Sequence, residues 1–271
     1  MQVLNLDLLQ KYAPAALATE RNLETTSAKY NFISTRSVLE ALAEDNWQVV
    51  AAKQTRSRSN EPHRRWFAKH EITLSDPNLQ IKQLVGELRP QFYLSNSHDG
   101  TGTYQMRAGL ERKVCMNGLY VPEGLVQAVS IKHLGNRTIE EVVAVAQAYR
   151  ANVDLIGTHI RRFKEVTLSP AAAVEFVNRA IALRHDPKVV TVNPESLLAV
   201  RRAEDVGFDL WHTFNRAQEW LVRGGYDVTK VTPIDSKESP VVRKARPIQA
   251  ILESVKINTK LWEIAELFSK N

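Results

Sequence analysis

The densest gathering of ligand-binding side-chain types lies between Lys53 and Lys69, where Lys53, Arg56, Arg58, Arg64, Arg65 and Lys69 stand against the single acid Glu61. His63, Trp66 and Phe67 are interleaved with them. Guanidinium and ammonium groups neutralise phosphates, and aromatic rings stack on bases of any sequence. The combination therefore points to single-stranded nucleic acid. The competing reading is an edge hairpin kept soluble by its charges, because basic side chains on edge strands oppose strand-to-strand association. Farther along, Arg107, Arg112 and Lys113 would extend the basic path. Alternation along a strand places Arg107 and Lys113 on one face and Arg112 on the other, unless Gly109 bulges the strand.

A second constellation is Asn96-Ser97-His98-Asp99-Gly100-Thr101-Gly102-Thr103. Backbone N–H groups of such a glycine-containing turn can hold a phosphate, and His98 with Asp99 can contribute to a metal site. With Asn117 added, Asn96, His98, Asp99 and Thr101 form a candidate polar site. The turn is not a P-loop, which needs Lys followed by Ser or Thr after the second glycine. Residues of these types are also the commonest turn formers, so a structural turn is the alternative. Cys115 would need a partnered histidine to act as a nucleophile and otherwise packs as a small hydrophobe. None of the seven histidines falls into a helical zinc motif, and the serine-hydrolase elbow and dinucleotide fingerprint are absent. The carboxylate pairs Glu140-Glu141 and Glu204-Asp205 are expected on solvated helix faces. No catalytic residue, metal or cofactor is assigned.

Composition sets the frame for these groups. A chain of 271 residues with 44% hydrophobic and 24% charged residues can bury a sizeable core in one large or two small domains. One cysteine excludes an intramolecular disulfide and a thiolate zinc site, and it suits a reducing compartment. Met1 to Gln10 lacks the pattern of a secretory signal, and no apolar run approaches a membrane span. The expectation is a cytoplasmic protein in a bacterial host, with no membrane partner. Its net charge of +6 favours polyanions.

The elements that must position the basic and polar residues can be read from periodicity. A short helix is expected near Leu4 to Lys11, and a second opens at Phe32-Ile33-Ser34-Thr35 before Val38, Leu39 and Leu42. Alternation at Trp47, Val49 and Ala51, and again at Trp66, Ala68, His70 and Ile72, predicts a hairpin whose turn carries the arginines. A third strand passes through Phe92 and Leu94 into Asn96, and a fourth runs from Thr103 to Met116. Asn117-Gly118 suits a type I′ turn into a partner strand, Leu119 to Val121, and Val129 and Ile131 add another short one. After Gly135 the spacing becomes helical: Ile139 to Ile156, Ala171 to Leu183, Phe208 to Val222 with Gly224-Gly225 as the stop, and Ile248 to Phe268. His159, Arg161, Arg162 and Lys164 would favour the C-terminal end of the long helix through its dipole. Asn215 and Gln218 would join a buried hydrogen-bonded network. Tyr226 to Pro247, with three prolines and several cations, reads as a mobile basic loop. Strands first and helices later predict an α+β fold. Its antiparallel, strand-rich N-terminal part carries the basic hairpin, and its C-terminal part is helical. One domain over 1–271 would subdivide into a helix plus antiparallel sheet over 1–135 and a mainly helical part over 136–271.

Several strings are specific enough to carry a resemblance. They are Tyr30-x-Phe32-Ile33-Ser34-Thr35, Asn96-Ser97-His98-Asp99-Gly100-Thr101, Tyr104-Gln105-Met106 with Gly109, and Val114-Cys115-Met116-Asn117-Gly118-Leu119. Downstream follow Asp209-Leu210-Trp211-x-Thr213-Phe214-Asn215-Arg216-Ala217-Gln218 and Asn258-x-x-Leu261-Trp262. Together they resemble the phage/plasmid-like proteins gathered as domain of unknown function nine-thirty-two. At Gly109-Leu110-Glu111-Arg112 the chain departs from a pattern in which an aromatic more often precedes the arginine. The resemblance implies carriage on bacterial mobile elements and supplies no activity. The order of elements is also similar to single-strand annealing proteins of the RecT, Redβ and Erf type, which form rings or filaments around a basic groove.

The expectation is thus a single-stranded DNA binding or annealing protein in recombination or replication, working as a homo-oligomer, ring or filament. Lys53, Arg56, Arg58, Arg64, Arg65, Lys69, Arg107, Arg112 and Lys113 would contact phosphates, and Trp66 or Phe67 would stack on bases. Two alternatives stay open. One is a protein–protein module acting on host defence or partitioning, its basic hairpin meeting an acidic partner. The other is a metal-dependent nuclease or hydrolase using His98 and Asp99.

Overall fold

Asn5 caps the first helix of the chain, its side chain accepting from the Leu8 N–H. That helix, α1 (Leu6–Tyr12), is followed by a 3-10 turn opened by Pro14. The protein is described here by a computed structural model covering residues 4–55, 65–81, 88–112, 118–120, 129–131, 139–231 and 240–270. It forms two compact units, Met1–Ile156 and Gly157–Asn271, and its fold is α+β.

In the first unit, helix α2 (Thr35–Glu44) starts where the capping pattern predicts. The Ser34 side chain accepts from the Ser37 N–H, and Val38, Leu39 and Leu42 are buried. Strands β1 (Gln48–Gln54), β2 (His70–Ser75), β3 (Leu88–Asn96) and β4 (Tyr104–Arg112) follow in spatial order as an antiparallel meander. Two short strands, β5 (Gly118–Tyr120) and β6 (Val129–Ile131), both pair with β4. β5 lies against Gly109–Glu111 and β6 against Tyr104–Met106. The β3–β4 register runs unbroken from Leu88↔Arg112 to Ser95↔Gln105, so Gly109 does not bulge β4.

Because strand side chains alternate, this register sorts the sheet into two faces. One face carries Ile72, Leu74, Phe92, Leu94, Met106 and Ala108, all buried. Helix α3 (Ile139–Glu165) supplies its cover from the first unit's side, burying Val142, Val145, Ala146, Tyr149 and Val153. The Phe92 ring lies 4.6 Å from those of both Trp47 and Tyr149, and the Tyr149 hydroxyl donates to the Gly109 carbonyl at 2.8 Å. Each such ring, fully buried, contributes about 1.5–3 kcal/mol. Arg150 on the same helix reaches the buried Asp76 at 2.8 Å and Asp45 at 3.4 Å. The opposite face carries Lys53, Glu71, Thr73, Gln91, Tyr93, Ser95, Gln105 and Arg107.

One expected strand is shorter than its pattern. Trp66 and Ala68 do not belong to β2; Arg65 and Trp66 sit in a 3-10 turn before it. The Phe67 carbonyl is taken by the His98 N–H, and the Ala68 carbonyl by the ring of His70, so the ladder cannot extend through them.

In the second unit α3 continues from Gly157, and Ser169 caps α4 (Pro170–Ala182). Next come β7 (Val190–Thr191), the single turn α5 (Glu195–Leu198), α6 (Leu210–Arg223), β8 (Asp227–Lys230), β9 (Val242–Lys244) and α7 (Ile251–Phe268). The stretch read as a mobile loop instead builds β8 and β9, which join β7 in a three-stranded antiparallel sheet. Residues 232–239 lie outside the described residues. The prolines and cations masked β-branched Val228, Thr229 and Val242, and Gly224 and Gly225 at positive φ turn the chain into this sheet. Two further expectations change. Asp205 is buried in a 3-10 turn against Arg216 and is not solvated. His159 and Arg162 do more than favour a helix end, since both bond the Glu266 carboxylate of α7. No helix among the described residues is long and apolar enough to cross a membrane.

Candidate functional site

The polar sheet face is built from cross-strand neighbours. Lys53 of β1 is opposite Glu71 of β2, Glu71 is opposite Ser95 of β3, and Ser95 is opposite Gln105 of β4. The next row brings Arg107 opposite Tyr93. Lys53 Nζ lies 2.7 Å from one Glu71 oxygen, and the Ser95 hydroxyl donates to the other at 3.3 Å. Arg107 donates to the Gln105 side chain, and the Tyr93 hydroxyl donates to Gln91 at 3.2 Å. Lys69, just before β2, projects to the same face. Burial lowers its pKa first and the nearby Arg107 charge lowers it further, while Glu71 opposes both. Glu71 is 2% exposed and Arg107 9%, whereas the Lys53 side chain is 57% exposed. Arg65 and Trp66 are exposed at the Lys53 end of β1, where the Gln54 side chain donates to the Arg65 carbonyl at 3.1 Å.

On the opposite face, at the ends of the same strands, a second polar cluster is sealed from solvent. Thr35, His70, Asn96 and His98 are all fully buried. His70 Nδ1 lies 3.0 Å from the Ala68 carbonyl, which can only accept, so Nδ1 carries the proton and Nε2 is an acceptor. The Thr35 hydroxyl therefore donates to His70 Nε2 at 2.8 Å. With that proton committed, Thr35 Oγ1 accepts from Asn96 Nδ2 at 3.0 Å and from His98 Nε2 at 3.5 Å. Asn96 also donates to the Ile33 carbonyl at 3.2 Å. Burial pushes the His70 pKa down to about 4, with the Ala68 hydrogen bond and the Asp99 charge resisting. Tyr30 donates to the Ser97 carbonyl at 2.8 Å, and its pKa is raised by burial and by Asp99. Asp99 itself accepts from the N–H and hydroxyl of Thr101 within its own turn.

This arrangement disposes of the sequence candidates unequally. The structure brings Lys53, Lys69 and Arg107 to one face, with Arg65 and Trp66 exposed near it and Phe67 partly covered. Arg112 ends β4 opposite Leu88. Arg56, Arg58, Arg64, Lys113 and Asn117 lie outside the described residues. Asn96 and His98 belong to the sealed cluster, Asp99 is partly exposed and Thr101 exposed. Among the described residues, no three His, Cys, Asp or Glu side chains gather as a metal-ligating group.

Sequence reasoning missed Glu71, Ser95 and Thr35. Glu71 and Ser95 alternate in phase with Lys53 and Arg107 once the strands are paired, and that phase was the available signal. Thr35 was read as part of a helix start, which hid its hydroxyl.

The strings that stood out in the sequence also meet in space. Asn96 and Thr35 are 61 residues apart and hydrogen-bonded. In the second unit Gln218 of α6 donates to Asn258 of α7 at 3.0 Å, and Asn258 donates in turn to the Ser254 carbonyl at 2.8 Å. Trp211 and Phe214 flank Trp262, with ring centroids 6.5 and 5.8 Å away. The network expected around Asn215 and Gln218 is present, Asn215 donating to the Trp211 carbonyl at 2.6 Å.

Comparison with known proteins gives a consistent picture. A family model described as Domain of unknown function (DUF932) matches residues 22–262. The chain is 31% identical over 259 residues to the UPF0380 protein YafZ of Escherichia coli (strain K12), spanning 95% of this chain and 89% of the relative. It is 30% identical, with the same coverage, to the UPF0380 protein YfjQ of that strain. No solved structure matches.

Proposed function

The chain belongs to the DUF932 family, and from that premise we propose that it is a nucleic-acid-binding protein. In this reading it holds single-stranded DNA during recombination or replication of a phage or plasmid, in the cytoplasm of a bacterial host. The observation that carries the reading is the convergence of Lys53, Lys69 and Arg107 on one sheet face around the Glu71 carboxylate. Burial and the Arg107 charge both disfavour the charged form of Lys69, and an incoming phosphate relieves that. Trp66, 45% exposed beside Arg65, offers a ring for an unpaired base, and such stacking contributes about 1–3 kcal/mol per base.

Fluorescence anisotropy of a labelled single-stranded oligonucleotide at several salt concentrations, with a duplex as control, tests this. Binding should favour the single strand and weaken steeply with salt. Replacing Lys53 and Arg65 together by Met should lower the log–log salt slope by about 1.4, at roughly 0.7 per lost single-strand phosphate contact. No binding at low salt would remove the reading.

A further inference from the structure

The three-stranded sheet of the second unit has one open edge, and we infer that this edge takes up an extended, acidic segment of a partner protein as a fourth strand. The interaction is separate from nucleic-acid binding on the first unit.

The ladder shows which backbone groups are available. β8 lies between β7 and β9, and β9 is registered on it through Asp227↔Lys244, Val228↔Arg243 and Thr229↔Val242. Flanking bonds run from the Lys230 N–H to the Val241 carbonyl at 2.9 Å and from the Ala245 N–H to the Tyr226 carbonyl at 2.8 Å. Bonded and non-bonded pairs alternate along an antiparallel ladder, so Val241, Arg243 and Ala245 turn their backbone groups toward β8. Val242 and Lys244 therefore each turn an N–H and a carbonyl away from it, and among the described residues nothing bonds them there. All three residues of β9 are exposed. The far edge of the sheet differs, because the Val190 N–H of β7 is taken by the Asp186 carbonyl at 3.0 Å.

Side chains along the open edge specify what can pair with it. Val241 and Val242 are 45% and 55% exposed, and Arg243 and Lys244 follow directly. Arg243 forms no ion pair among the described residues. Lys244 holds Asp227 at 2.9 Å in a pair exposed on both sides, which an incoming carboxylate displaces at little cost. Cations on an edge strand ordinarily oppose strand-to-strand association. Here they exclude a second copy of β9, since like charges would meet across the new ladder. Protection alone leaves the two exposed valines beside them without a role, whereas an acidic strand turns the same charges into attraction and covers the valines.

Register then defines the partner. An added strand sets acids against Arg243 and Lys244 and aliphatic side chains against Val241 and Val242. The motif is two adjacent acids next to two adjacent aliphatic residues, in either chain direction. Main-chain bonds supply the grip and side chains the choice, as in strand addition generally. Nucleic acid fits this edge less well, because β7, β8 and β9 carry no aromatic ring on which a base could stack.

The test uses the full chain and fluorescence anisotropy of labelled peptides in which aspartate and glutamate either precede or follow valine and isoleucine. One of the two orders should bind. Replacing both acids by their amides should weaken it about fivefold. Methylating the peptide nitrogens that face β9 should weaken it about tenfold with every charge intact. Val242→Pro removes an N–H that β8 does not use, so circular dichroism should be unchanged while affinity falls about fivefold. Should the proline prevent folding, Arg243→Glu combined with Lys244→Glu decides: it should reject the acidic peptide and bind one in which lysines replace the acids. Affinity that survives backbone methylation or the amides would overturn acidic strand addition, and so would the absence of binding by either order. Loss of oligonucleotide affinity in the double variant, with no peptide bound by the wild type, would assign the edge to nucleic acid. Self-association abolished by Val242→Pro would assign it to a second copy. Either result overturns the proposal.

Discussion

Acid should destabilise the first unit through His70 by an amount that follows from its burial. The imidazole is fully enclosed, donates to the Ala68 carbonyl and accepts from Thr35, so a second ring proton would have no partner except by breaking the Thr35 bond. Its folded-state pKa of about 4 lies below the ordinary histidine value of about 6.5. Between those values the unfolded chain takes up a proton that the folded chain refuses. Stability is therefore complete above about pH 6.5 and declines as the pH falls toward 4. The loss between pH 7 and pH 5 is about 2 kcal/mol, a sizeable share of a total of about 5–15 kcal/mol. Urea unfolding of the wild type and of His70→Gln at pH 7, 6 and 5, followed by the fluorescence of buried Trp47 and by circular dichroism, measures it. Glutamine can still accept from Thr35 and does not titrate. All other groups are common to both proteins, so the difference between the two pH slopes isolates His70. A variant with the wild-type pH dependence would refute the reasoning.

Other expectations follow from single contacts. Thr35→Val removes a hydroxyl that serves His70, Asn96 and His98 together and leaves buried polar groups unpaired, which costs about 2–4 kcal/mol. Thr35→Ser should recover most of it in the same denaturation experiment, and a Val variant within about 1 kcal/mol of wild type would remove Thr35 as the hub. At Gly224, φ is +70 and a Cβ would sit 2.3 Å from the Ala245 carbonyl oxygen, so Gly224→Ala should lower the melting temperature by several degrees. An unchanged melting temperature would mean the α6 stop tolerates a side chain. Gln218→Leu and Asn258→Leu should be coupled by about 0.5–3 kcal/mol in a double-mutant cycle, and additive losses would argue against their bond.

The fold was legible where periodicity and caps spoke in the same sense. Ser34 before Val38 and Leu42 and Gly224 after Leu221 each marked a boundary found within a residue or two. The turn expected at Asn117-Gly118 was misplaced, because Gly118 is the first residue of β5 and pairs with Glu111 of β4. Trp66 misled because alternating side chains are necessary for a strand but not sufficient. The carbonyls of Phe67 and Ala68 were committed elsewhere, to His98 and to the His70 ring, and such commitments are invisible until the chain is folded. β8 and β9 were missed for the opposite reason, since turn-forming residues between them outweighed short β-branched runs. At the site, the basic residue types could be read directly from the sequence. Their sharing of a face depended on pairing four strands in register, and a one-residue slip would have reversed it. The direction of His98, inward to Thr35, was likewise a matter of tertiary packing and not of local composition.

Helix α3 has a consequence for how this protein can be divided or inherited. Ile156 and Gly157 are consecutive residues within it, yet they fall in different compact units. A truncation at residue 135 would look tidy on the sequence, but it would strip Tyr149 from Trp47 and Phe92 and leave Asp76 buried without Arg150. A product starting at 157 would begin in mid-helix with its first backbone donors unpaired. Gene rearrangements that separate the halves should therefore yield proteolysed fragments, and selection would transmit the two units together.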